Sequence, residues 1–139
     1  MLQVGDRFPV EQLPVKPEGP AVVYFYPADL TPGCSMEAKR FNDHYDRFRD
    51  AGYEVIGVSV DSDERHDEFR RECGLRFPLV SDPDGALTKS VGLLKDYGEY
   101  GHLARRFTFL LDGEGVVQQV WDVSDAATHP DEVLAAATS

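Results

Sequence analysis

Six consecutive apolar residues, Ala21-Val22-Val23-Tyr24-Phe25-Tyr26, stand between a proline-containing segment at 13–20 and Pro27. A run rich in β-branched and aromatic side chains, with no polar alternation, predicts a central strand covered on both faces. After Thr31-Pro32-Gly33 the period changes. Cys34, Ala38, Phe41, Tyr45 and Phe48 recur at alternating steps of four and three, which predicts a helix with one apolar stripe. Glu37, Lys39, Arg40, Asp43, Asp46 and Arg47 fill the other, solvated face, and Gly52 supplies the stop.

The pattern then repeats. Residues 53–60 predict a second buried strand, and Asp61-Ser62-Asp63 offers N-cap chemistry for a helix over 64–73 that ends at Gly74. Residues 77–80 predict a short strand, and Ser81-Asp82-Pro83-Asp84 opens a short helix over 85–91. Residues 106–111 and 116–123, joined by Asp112-Gly113-Glu114-Gly115, predict a hairpin, and a last helix follows His129-Pro130. Alternating strands and helices imply a parallel core, to which the hairpin adds antiparallel strands. The expected fold is α/β: a mixed sheet flanked by helices on both faces, in a single domain spanning 1–139.

Composition narrows the function classes. The chain has 139 residues, 42% of them apolar, with 8 Phe, 6 Tyr and 1 Trp, enough to build a core without disulfides or metals. Its net charge of −11 and lack of a basic stripe argue against nucleic acid as a partner. Residues 1–10 lack a basic stretch leading into an apolar run, and no apolar run is long enough to span a bilayer, so a cytoplasmic protein with no membrane partner is expected. Two cysteines in such a compartment are read as free or redox-cycling. His44, His66, His102 and His129 show no paired metal spacing and are read as surface residues. The acidic cluster at 61–67 has Arg65 and His66 where a calcium loop wants an oxygen ligand and a glycine.

The chemistry concentrates at the end of the first strand. Cys34 falls in the first turn of the following helix, where unpaired N–H groups and the helix dipole favour an anion such as a thiolate. Pro32 suits a helix start, and Gly33 permits close approach to the backbone. Thr31 is placed to bring its hydroxyl beside the sulfur, and Pro27 stiffens the turn and shields it. The same residues also describe an ordinary helix start with a small, inert, buried cysteine. On residue chemistry alone both readings stand.

Pro27, Thr31 and Cys34 match the Pro-x-x-x-Thr-x-x-Cys pattern of peroxiredoxins, and the stretch from Tyr24 to Ala38 resembles their PrxQ, or bacterioferritin comigratory protein, branch. Gly5-Asp6, Phe8-Pro9, Val55-Ile56-Gly57-Val58-Ser59, Phe77-Pro78-Leu79-Val80-Ser81-Asp82 and Arg106-Phe107-Thr108-Phe109-Leu110-Leu111-Asp112 extend the likeness along most of the chain. The resemblance implies a thioredoxin-like fold and a thiol peroxidase that reduces hydrogen peroxide and organic hydroperoxides without a cofactor. It makes Cys34 the attacking, peroxidatic cysteine and Arg106 the guanidinium that holds the thiolate and polarises the peroxide. Without it, Arg106 is equally a solvated strand-end cation, with Arg105 its neighbour. It further implies thioredoxin or a small thiol as reductant, and a monomer.

One departure stands out. Members of this branch often carry a resolving cysteine five positions after the first, where this chain has Lys39. Others carry it on the next helix, where the remaining cysteine, Cys73, lies about one turn beyond the usual position. Cys73 is a candidate resolver and equally a core residue pairing with Phe69, and an external thiol is the alternative. Glu at position 37 argues against a Cys-x-x-Cys oxidoreductase. A peroxide sensor signalling through Cys34 would share the first chemical step but not the turnover.

Overall fold

The computed structural model describes residues 1–139. The apolar run folds as β1 (Ala21–Phe25), pairs in parallel with β2 (Glu54–Ser59), and β2 pairs in parallel with β3 (Leu79–Ser81). On its other side β1 pairs antiparallel with β6 (Phe107–Leu111), which continues into β7 (Val117–Asp122). The sheet order is β3-β2-β1-β6-β7. A separate hairpin of β4 (Leu94–Asp96) and β5 (His102–Ala104) precedes β6. The charged residues of this stretch gave no strand period, so the sequence pattern did not predict it.

Side chains alternate across each strand, so β1 feeds two apolar layers. Val23 and Phe25 join Ile56, Val58, Phe109, Phe8 and Leu87, the last from α4 (Ala86–Ser90). Val22 and Tyr24 join the opposite layer. Four helices cover that side: α1 (Pro32–Asp43), α2 (Tyr45–Asp50), α3 (Asp63–Cys73) and α5 (His129–Thr138). They contribute Phe41, Phe48, Phe69 and Val133 to the layer. The mixed sheet with helices on both faces is as expected.

Local chemistry fixes the ends of these elements. The Ser62 hydroxyl accepts from the Arg65 amide at 3.2 Å, and Gly74 takes the left-handed conformation (φ 62°) that ends α3. Asp82 opens α4 by accepting from the amides of Leu87 (3.1 Å) and Thr88 (2.8 Å). In the β6–β7 turn, Asp112 accepts from the amides of Glu114 and Val116 at 2.8 and 3.0 Å.

The long helix expected over 34–48 is divided at His44 (φ −95°, ψ 6°). Its amide is shared between the carbonyls of Arg40 and Phe41, and its ring reaches Asp131 of α5 at 2.5 Å. Three histidines read as surface residues are buried instead: His44, His66 and His129, the last two 2% exposed. Each has a side-chain partner that offsets its desolvation: Asp131, Asp29 and Thr108 respectively.

Candidate active site

β1 ends at Phe25, and the segment Tyr26 to Thr31 crosses its C-terminal end to start α1. Thr31 is the N-cap residue, Pro32 and Gly33 form the first positions, and Cys34 follows within the first turn. The Cys34 side chain points into the α1 layer, and the residue is 2% exposed. Arg106, immediately before β6, reaches across from the neighbouring strand and donates from Nη2 to Cys34 Sγ at 3.3 Å. Arg106 and not Arg105 occupies this place; Arg105 lies outside, beside Asp122 at 3.7 Å.

The guanidinium is held from a second side. Its Nη1 donates to Glu37 Oε1 at 2.7 Å, so one planar fork bridges a sulfur and a carboxylate. Glu37 is fully buried, and its Oε2 has no partner. Burial pushes its carboxyl up from 4.5 to about 7, against the opposing pull of Arg106. The placing of Glu37 on the solvated face of the helix is therefore corrected. It lies three positions after Cys34, hence on the same face, and Arg106 supplies the counter-charge that makes burial tolerable. That spacing was the available signal in the sequence.

Gly33 has a role beyond easing substrate approach: a Cβ there would lie 3.3 Å from Arg106 Nη2, so the glycine admits the guanidinium itself. The Thr31 hydroxyl, expected beside the sulfur, instead donates to the Ala28 carbonyl at 2.9 Å and braces the turn. Pro27 is half-buried at the start of the same turn. Leu30 takes a left-handed conformation (φ 64°) that costs a residue with a Cβ about 1–2 kcal/mol. Beneath the sulfur lies Tyr24, stacked on Phe41 (centroids 4.5 Å apart), with a buried and unpartnered hydroxyl. Burial, then Glu37 and Cys34, raise that phenol well above its ordinary range, so it stays protonated. Burial and then the charge of Arg106 lower His129 to about 4, so its ring is neutral near pH 7.

Cys73 closes α3 and packs, half-buried, against the layer that holds Cys34. Both thiols are free. Burial raises the Cys73 thiol, opposed by Lys39 and Ser35 of α1. Lys39, five positions after Cys34, is thus near enough for its charge to act on the Cys73 thiol.

The AhpC/TSA family model matches residues 4–120. The chain belongs to the AhpC/TSA family. Within it, the relatives of this peroxiredoxin carry the Bcp and Q names. Peroxiredoxin Bcp of Xanthomonas campestris is 46% identical over 118 residues, covering 83% of this chain and 74% of the relative. The chloroplastic peroxiredoxin Q of Sedum lineare is 45% identical over 116 residues, again 83% of this chain but 61% of the relative. The solved structure of the X. campestris bacterioferritin comigratory protein superposes with a TM-score of 0.79 at 43% identity, covering 86% of this peroxiredoxin and 78% of that chain.

Proposed function

We propose that this peroxiredoxin reduces hydroperoxides at Cys34. The observation that carries the reading is the bridge from Arg106 to both Cys34 Sγ (3.3 Å) and Glu37 (2.7 Å) at the start of α1. The Cys34 thiolate attacks one peroxide oxygen and the O–O bond breaks. The other oxygen leaves as water or an alcohol after taking a proton, and the sulfur becomes a sulfenic acid. Arg106 donates to the oxygen on which charge develops, and the free amides of the first turn of α1 add their dipoles. The X. campestris bacterioferritin comigratory protein has been studied for alkyl peroxide reduction, which supports organic hydroperoxides as substrates here.

Resolution falls to Cys73. Its sulfur attacks the sulfenic sulfur, expels water and forms a disulfide, which an external dithiol of the thioredoxin kind reduces in two exchange steps. The shared apolar layer of the two cysteines supports this assignment. A disulfide needs Cα atoms within about 7 Å, so α1 and α3 must bring Cys34 and Cys73 to that separation for the sulfurs to meet. Two free thiols fit a reducing cytoplasm.

Intact mass after one equivalent of peroxide tests both steps. A loss of two mass units in the wild type, replaced by a gain of one oxygen in Cys73→Ser, is expected. One oxygen gained in both rules Cys73 out as resolver. Sustained peroxide consumption by Cys34→Ser refutes the whole reading. With dithiol present, many turnovers per protein separate an enzyme from a sensor that stalls after one.

A further inference from the structure

The turn that delivers Cys34 is anchored on its α3 side by a buried cluster outside the Arg106 bridge. Asp29 is fully buried, and its Oδ1 accepts from the Tyr26 hydroxyl at 2.6 Å. Its Oδ2 meets His66 Nδ1 at 2.5 Å. Its amide donates to Asp61 Oδ2 at 2.8 Å, and its carbonyl accepts from Arg65 Nη2 at 3.1 Å. Three of these four partners belong to α3 or the segment leading into it. The next residue is Leu30, the one non-glycine residue with a positive φ. After it come Thr31 and the first α1 hydrogen bond, from the Ser35 amide to the Thr31 carbonyl at 2.8 Å.

The state of His66 follows from its neighbours. Nε2 faces the Val80 carbonyl at 3.0 Å, which only accepts, so Nε2 carries a hydrogen. Nδ1 faces a carboxylate oxygen, so a second proton lies between ring and carboxylate. Wherever along that bond the proton sits, removing it leaves two lone pairs face to face at full burial.

We propose that His66 is a positioning residue for the reaction at Cys34: its shared proton with Asp29 holds the strained 27–33 turn closed, and loss of that proton releases the turn and the start of α1. The groups facing the pair are Tyr26 from the end of β1, Asp61 and Arg65 from the α3 side, and the Val80 carbonyl of β3. Burial works against the charged ring, but the hydrogen bond to Asp29 and its charge outweigh burial, so His66 titrates above its ordinary value. The clamp is therefore complete below about pH 6.5 and is lost as pH rises through the raised value. Such release exposes the sulfur and frees it to meet Cys73; only that consequence rests on the peroxidase reading.

Hydrogen exchange read by mass spectrometry on the reduced, full-length protein, without peroxide, tests the clamp independently of any chemistry at sulfur. After correction for intrinsic exchange, opening of the segment 30–38 should rise on the order of tenfold between pH 6 and pH 9, while β6 stays unchanged. His66→Ala and Asp29→Ala, which leave no donor–acceptor pair at this place, should each show the open behaviour at both pH values. A flat wild-type profile overturns the proposal, as does wild-type protection of 30–38 in either folded variant. Because Glu37 in the same segment also ionises on the way to pH 9, the profile is recorded in Glu37→Gln as well; a rise lost in that variant overturns the proposal even where a clamp variant fails to fold, and the mass experiment above separately decides the role of Cys34.

Discussion

Glu37→Gln isolates the charge of the carboxylate that shares Arg106 with the sulfur. The amide keeps an oxygen to accept from Nη1 and keeps the side-chain volume. It removes only the buried negative charge and the proton equilibrium that goes with it. In the unfolded chain Glu37 ionises near 4.5, and in the folded protein near 7. The folded value is the higher one, so the folded state binds more protons between these limits, and wild-type stability falls as pH rises through them. Below pH 4.5 the residue is protonated in both states and costs nothing. Above pH 7 it is ionised in both, and the full cost is present. A displacement from 4.5 to about 7 corresponds to about 3 kcal/mol.

The assay is urea unfolding of wild type and Glu37→Gln at pH 5, 6, 7 and 8, with both cysteines reduced. The variant should be more stable by less than ~1 kcal/mol at pH 5 and by ~3 kcal/mol at pH 8. A difference independent of pH, or a variant less stable than wild type at pH 8, refutes the account of a carboxylate ionised at the expense of folding. Peroxide reactivity should move the opposite way and fall in the more stable protein. Natural sites keep such costly groups where function needs them.

Gly33→Ala places a methyl 3.3 Å from Arg106 Nη2 while improving helix propensity. Stopped-flow peroxide reduction should slow by about tenfold, with stability unchanged or higher by ~0.5–1 kcal/mol; an unaltered rate would show that the guanidinium position is not critical. Arg106→Lys keeps the charge but cannot bridge Cys34 and Glu37 with one ammonium, so the same rate should drop about 10²-fold, and a loss smaller than threefold argues against the bridge. Phe41→Ala removes the fully buried ring stacked on Tyr24 and should cost about 3–5 kcal/mol in urea unfolding; a cost under ~1.5 kcal/mol would mean that the layer beneath Cys34 collapses to fill the gap.

The elements that build this fold were legible because their signals are local. The run at 21–26, the stripe at Cys34, Ala38 and Phe41, and the stops at Gly52 and Gly74 each carry their own period or turn chemistry. What stayed hidden depends on partners distant in sequence. Glu37 reads as solvated until Arg106, 69 positions away, is folded against it. His66 reads as a surface residue until Asp29, 37 positions away, supplies a buried acceptor. The break at His44 is likewise set by Asp131, 87 positions away. Periodicity identifies which face a residue occupies, but a buried charge on that face becomes intelligible only with its counter-charge in place. Thr31 shows the converse limit. Its type and spacing are right for touching the sulfur, yet its hydroxyl is spent on the Ala28 carbonyl.

Burial of Cys34 sharpens the mechanism rather than opposing it. At 2% exposure, with none of the five surface cavities lined by Cys34 or Arg106, the sulfur is not reached across an open cleft. Its cover is thin: Thr31 and Pro32 are exposed, Gly33 is half-buried, and the Arg106 side chain is 19% exposed. A hydroperoxide is small, so a displacement of this rim alone admits it, whereas the resolving step proposed for Cys73 brings a whole side chain to the same sulfur. The two chemical steps therefore make unequal demands on the same turn. The first needs Arg106 and Glu37 held in place; the second needs Asp29 and Leu30 let go. These demands fall on opposite sides of Cys34, one toward β6 and one toward α3, so the contact that serves the attack is not the one whose loss starts the release.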